Sequence, residues 1–107
     1  MNVAMFSALA EPKRIRIIEV LRDRGALTVG EIAQRLGLRS PQSSKHISVL
    51  VDAGLVHMQA VANRRICTLR TESFVEMESW MKTFISMKEE QYDRFDEYLS
   101  KIQKSKQ

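Results

Sequence analysis

Apolar and polar positions alternate along this chain in three distinct rhythms, and each predicts a different kind of element. Val3 to Leu9 is a short apolar segment of helical character. After Pro12, which suits a first helical turn, Ile15, Ile18 and Leu21 recur on one face with Ile17 and Val20 beside them. Lys13, Arg14, Arg16 and Arg22 take the remaining positions of this helix, which runs to about Arg24 before Gly25 closes it. Leu27 and Thr28 can add a short strand. Thr28 and Glu31 then stand three apart ahead of Ile32 and Leu36, the spacing of a capping box. Gly37 follows the last apolar position of that helix, where positive φ is wanted. Ser40 as N-cap and Pro41 as first helical residue restart the chain. Ile47 and Leu50 repeat at helical spacing, and Gly54 stops the second helix, which is expected over residues 41–53.

The rhythm changes beyond Gly54. Leu55 to Val61 and Ile66 to Leu69 are β-prone, with Ala62-Asn63-Arg64-Arg65 between them. This predicts a hairpin spanning residues 55–70 with a basic tip, where Asn63 is the residue most tolerant of left-handed backbone. From Thr71 a long helix follows, its start capped by Ser73 and Glu76. Phe74, Met77, Met81, Phe84 and Ile85 mark one stripe, and Phe95, Leu99 and Ile102 a second on a roughly seven-residue period. Lys88-Glu89-Glu90-Gln91 interrupts them, so a bend or break is expected there, and the last five residues should fray. The fold class is therefore mainly α with a small β-hairpin, arranged as a winged helix-turn-helix with a long C-terminal dimerisation helix. A single domain is expected, in which residues 1–10 and 71–104 flank a core at 11–70.

Two helices joined by about three residues can cross and leave the second protruding. That second helix has very few acids and carries Gln42, Ser43, Ser44, Lys45, His46 and Ser48. It reads as a helix that enters a DNA major groove, with the hairpin as a wing against phosphates or a neighbouring minor groove. Gln42 can bond bidentately to adenine, Ser44 can reach bases or phosphate, and Lys45 suits phosphate or a guanine edge. Arg39, Ser40 and Ser48 flank these positions, and Arg64 and Arg65 supply the wing's charge. His46 is either a DNA contact or a packing and hydrogen-bonding residue of the motif. His57, on the first wing strand, reads as structural rather than as a ligand.

Charge supports a polyanionic partner. Residues 1–70 hold 11 Lys and Arg against 5 Asp and Glu, whereas residues 71–107 hold 6 against 8, so the whole net charge of +4 comes from the motif-bearing part. The 107 residues contain 44% apolar and 28% charged positions, ordinary for a globular chain with one modest core. No stretch approaches a membrane span, and the N-terminal apolar run lacks the basic flank of a signal peptide, which leaves the cytoplasm as the expected location. Cys67 is the sole cysteine and excludes an intrachain disulfide; it reads as a small buried hydrophobe. No nucleophile–base pair, phosphate-binding glycine loop or paired-carboxylate spacing is present, which argues against an enzyme.

With these elements placed, the residues resemble the ArsR-type family of bacterial winged-helix repressors over roughly positions 6 to 84. The landmarks are Ala8-Leu9-Ala10-Glu11-Pro12-Lys13-Arg14, Leu27-Thr28-Val29-Gly30-Glu31-Ile32-Ala33, Ser44-Lys45-His46-Ile47, Ala53-Gly54-Leu55-Val56, the Arg64-Arg65-Ile66 wing return, and Trp80. The resemblance implies a homodimer joined through its first and last helices, by Val3, Phe6 and Leu9 with Phe74, Met77, Met81, Phe84 and Ile85. The methionines Met77, Met81 and Met87 would belong to that interface rather than to a ligand pocket. Two recognition helices would read double-stranded DNA at a palindromic operator and repress transcription nearby. Many members of the family release DNA on binding metal, and there this sequence departs. The cysteine positions of one common site correspond to Thr28 and Gly30, and no histidine follows His57 to build another. No metal and no cofactor are expected. Ser43 stands where the family has a small apolar residue, and Arg39 where it often has a serine cap. The alternative reading is a winged-helix protein-interaction module that does not bind DNA specifically.

Overall fold

The computed structural model describes the backbone of residues 3–105, with side chains of 87–92 and 103–105 outside the described set. The chain divides into two compact units, residues 1–74 and 75–107. The first contains four helices, α1 (Val3–Leu9), α2 (Pro12–Arg24), α3 (Val29–Leu36) and α4 (Ser40–Asp52), and three strands, β1 (Leu27–Thr28), β2 (Val56–Val61) and β3 (Arg64–Leu69). The strands form an antiparallel sheet in the order β1-β3-β2, with Leu27 opposite Cys67 and Cys67 opposite Met58. The final helix, α5, runs from Thr71 to Ser105 as one element, so the break expected at 88–91 does not occur. A continuous hydrogen-bonded ladder needs no apolar residue at those positions, and Lys, Glu and Gln are good helix formers. The expected fraying falls partly on residues 106 and 107, outside the described set.

The helix boundaries follow from local chemistry. Glu11 precedes α2 with extended backbone, and its carboxylate accepts the Arg14 N–H at 3.1 Å, with Pro12 in the first turn. Thr28 and Glu31 form the expected capping box: Glu31 N–H donates to Thr28 Oγ1 at 3.1 Å and Thr28 N–H donates to Glu31 Oε1 at 3.2 Å. α3 and α4 both close by Schellman motifs. Leu38 N–H reaches Ala33 O beyond Gly37, and Leu55 N–H reaches Leu50 O beyond Gly54, whose φ is 81°.

Four local expectations are corrected. Arg39, not Ser40, is the N-cap of α4; its carbonyl accepts the Ser43 N–H at 2.9 Å and no side chain caps the turn. Pro41, one turn position further in, has no N–H to satisfy, so this start leaves fewer orphan donors. In the hairpin, Ala62 rather than Asn63 takes positive φ, at 55°. Val61 pairs with Arg64, leaving a two-residue turn whose first position must be left-handed in the turns that match strand twist. Ser73 does not cap α5; it is buried one turn in, where its hydroxyl donates to the Gly54 carbonyl and its N–H reaches Arg70 O. Ile15 lies on the exposed side of α2, because Ile17, Ile18 and Leu21 fill the inward face.

Ile17, Ile32, Ile47, Leu50, Leu55, Val56 and Cys67 are fully enclosed at the centre of the first unit. The sheet backs the helices through Val56 and Cys67, and this fixes the wing beside α4. Burial pushes the Cys67 thiol above its ordinary pKa, against a weaker opposing pull from Arg65, so the group stays a protonated hydrophobe. In the second unit, Trp80 and Phe84 stack edge to face with centroids 4.8 Å apart, and Glu78 pairs with Lys82 one turn on at 2.9 Å.

Candidate nucleic-acid interface

α3 and α4 pack together as the two helices of the motif, and the capping box and Gly37 fix where α3 begins and ends. α4 is divided by burial. Ser43, Ile47 and Leu50 face inward at a spacing of four and three, while Lys45 and Ser48 are exposed and Gln42 and Ser44 half-exposed. Arg39 and Ser40 are exposed at its start. Ser43 is enclosed at 0% exposure, and its hydroxyl finds no hydrogen-bond partner.

A cleft of about 790 Å³ lies between the start of α3, the first turns of α4 and the wing. Ser40 and Ser44 from α4 line it together with Arg64 and Arg65 from β3, so four residues singled out in the sequence border one space. Thr28, Gly30, Gln34 and Asn63 line it as well. Sequence reasoning passes over these four because Thr28 and Asn63 read as cap and turn residues and Gly30 only as the counterpart of a metal-binding cysteine. Gln34 had no apolar or charged signal at all. The adjoining Glu31 carboxyl is held below the ordinary carboxylate range, first by the Thr28 backbone N–H and its hydroxyl, then by Arg35 and Arg64. The rim of the cleft thus carries arginine charge from the wing that α3 only partly offsets.

His46 is placed differently from its neighbours. Its side chain is only 14% exposed and turns toward α2, where Nδ1 lies 3.5 Å from an Arg14 guanidinium nitrogen and 4.0 Å from Glu11 Oε2. Of its two open readings, this geometry is that of a packing and hydrogen-bonding residue. His57 is exposed on β2 opposite Thr68. Thr28 Oγ1, at one of the two positions where the resemblance would place a metal-binding cysteine, is engaged in the capping box.

The residues expected to join two copies are distributed unevenly. Val3, Met81, Phe84 and Ile85 are exposed, Phe84 and Ile85 by 53% and 56%. Phe6, Leu9 and Phe74 are half-buried. Met77 is buried within its own chain at 5% exposure and has little surface to offer a partner. Met87 lies outside the described side chains. No described helix is long and apolar enough to cross a membrane.

Comparison with known proteins agrees with this architecture. Residues 9–59 match a family of helix-turn-helix domains. The chain is 27% identical over 82 residues to the transcriptional repressor SdpR of Bacillus subtilis, covering 77% of this chain and 90% of that protein. It is 33% identical to the uncharacterized HTH-type transcriptional regulator Rv0081 of Mycobacterium tuberculosis over 72% of this chain and 68% of the other. The crystal structure of the ArsR family transcriptional regulator RHA00566 superposes with a TM-score of 0.72 at 31% identity, covering 80% of this chain and 88% of that one. With its helix-turn-helix pair, its hairpin wing in a three-stranded sheet and this likeness along most of its length, the chain belongs to the ArsR family of DNA-binding winged helix-turn-helix transcriptional regulators.

Proposed function

We propose that the protein is a homodimeric repressor that acts in the cytoplasm on a palindromic double-stranded operator. In this reading α4 lies in the major groove, with Gln42 and Lys45 reading base edges and Arg39, Ser40, Ser44 and Ser48 on bases or adjacent phosphates. Arg64 and Arg65 meet the backbone or the neighbouring minor groove. The observation that carries the reading is the cleft itself: the first turns of α4 and the basic end of β3 border one space, so one duplex can touch both. That SdpR is a repressor supports the direction of control.

Dimerisation follows from α5. Trp80, Met81, Phe84 and Ile85 expose a contiguous apolar surface over less than two turns, which is costly to leave in water and suited to an equivalent surface on a second copy. Val3, Phe6 and Leu9 on α1 would contribute a second patch to the same interface. Two-fold symmetry then sets half-sites one helical turn apart, roughly 34–36 Å, or a multiple of it. Metal is not the signal in this reading, since Thr28 and Gly30 offer no thiolate.

Fluorescence anisotropy titration against the DNA upstream of its own gene tests the repressor reading. Binding should exceed that to random duplex at every salt concentration, and equal affinity for both would refute it. Sedimentation of Phe84→Asp and Ile85→Asp variants tests the interface: both should sediment as monomers, and retained dimers would show that α5 does not join the copies.

A further inference from the structure

One guanidinium ties together three helices. Arg14 lies in the first turn of α2, and its backbone N–H is already used by the Glu11 cap. Its side-chain Nε donates to the carbonyl of Ala8, at the end of α1, and a terminal nitrogen lies 3.5 Å from Nδ1 of His46, in the middle of α4. Glu11 Oε2 stands 4.0 Å from the same Nδ1. Arginine can only donate, so for this contact to be a hydrogen bond Nδ1 must offer a lone pair, as it does in the Nε2-protonated tautomer. Both arginine bonds come from one rigid plane, which fixes α1 and α4 with respect to each other as well as to α2.

The recognition helix has need of such a fastening. It begins at Arg39 without any side-chain cap, and the hydroxyl of Ser43, one turn in, makes no bond. Among the described side chains of α4, His46 is the one that meets the Arg14 guanidinium on α2, and it sits between exposed Lys45 and buried Ile47. A rotation of α4 by a fraction of a turn would move Gln42 and Lys45 off the base edges while leaving general attraction to phosphate intact.

We propose that Arg14 is a positioning residue for sequence recognition, acting through His46 to hold α4 in its reading orientation. The inference separates two kinds of DNA affinity. Loss of the Arg14–His46 contact lowers discrimination between sequences and spares binding to duplex in general, because the groove-facing charges are unchanged. A side chain that presents an acceptor where Nδ1 stands restores the function; one that only fills the volume does not.

The test uses the full chain, the duplex it selects from a randomised pool, and a scrambled version of that duplex. His46→Leu should reduce the ratio of the two affinities at least tenfold, with affinity and salt slope on the scrambled duplex unchanged. His46→Asn, whose carbonyl oxygen can accept from Arg14, should stay within about threefold of the wild-type ratio. Arg14→Lys keeps the charge but cannot serve two acceptors from one plane, and should lower the ratio at least threefold. It gives the same reading if His46→Leu does not fold. Nitrogen-15 spectra of the imidazole at pH 8.5 should show the Nε2-protonated tautomer in the wild type and a mixture in Arg14→Met. Equal loss of discrimination in His46→Asn and His46→Leu would overturn the proposal, since the ring itself would then be the DNA contact. An unaltered tautomer and ratio in the Arg14 variants would overturn it too.

Discussion

Ser43→Ala should make this protein more stable, although it removes a polar group from the recognition helix. The hydroxyl is completely enclosed on the inward face of α4 and has no hydrogen-bond partner. An unpaired buried group of this kind costs about 1–3 kcal/mol of desolvation. Alanine removes that cost and adds a few tenths of a kcal/mol of helix propensity. The void left by one oxygen, on the order of 10 Å³, returns only about 0.2 kcal/mol at ~24 cal/mol per Å³. The net expectation is a gain of roughly 1–3 kcal/mol, which raises Tm by about 4 °C or more for a domain of this size. Urea denaturation at fixed protein concentration should show a raised midpoint with an unchanged m value. DNA affinity should not change, because the side chain faces away from the groove. A destabilisation of more than about 0.5 kcal/mol would refute the reasoning. It would mean that the hydroxyl donates to a carbonyl one turn back, in the manner of serines inside helices, and so helps to hold the uncapped start of α4.

The remaining predictions concern the wing and α3. Arg64→Ala and Arg65→Ala should each lower the slope of log affinity against log salt by about 1 without changing sequence preference, as read from anisotropy titrations on two unrelated duplexes. An unchanged slope would remove that arginine from the phosphate contacts. Ala62→Gly should stabilise the chain by up to about 1 kcal/mol in thermal melts, because a side chain at φ 55° carries left-handed strain that glycine lacks. The carboxyl of Glu31 is depressed below its ordinary value of 4.5, so its stabilising effect is complete above that value and is lost as pH falls through the lower, folded-state pKa. Acid titration of helicity should therefore show a shallower loss below pH 4.5 in Glu31→Gln than in the wild type, and identical curves would show that the capping box contributes nothing there.

Local rules carried the amino-acid sequence a long way, because capping, helix closure and period-two alternation depend on neighbours within a few residues. Thr28 with Glu31, Gly37, Gly54 and the pairing of two β-prone runs could be read directly, and with them the motif and its basic wing. Their order along the chain also revealed the family. Tertiary structure decided everything that depends on what lies opposite a side chain. Only packing shows that Ser43 is sealed in without a partner, or that Ser73 turns its hydroxyl to Gly54 instead of capping α5. Only the sheet register shortens the turn to two residues and forces Ala62 into the left-handed region. His46 is the plainest case. Its sequence neighbours are a lysine and an isoleucine, which suit a groove or a core equally well. The ring meets Arg14 of α2, thirty-two residues away, and no periodicity within α4 can report a contact made to another helix.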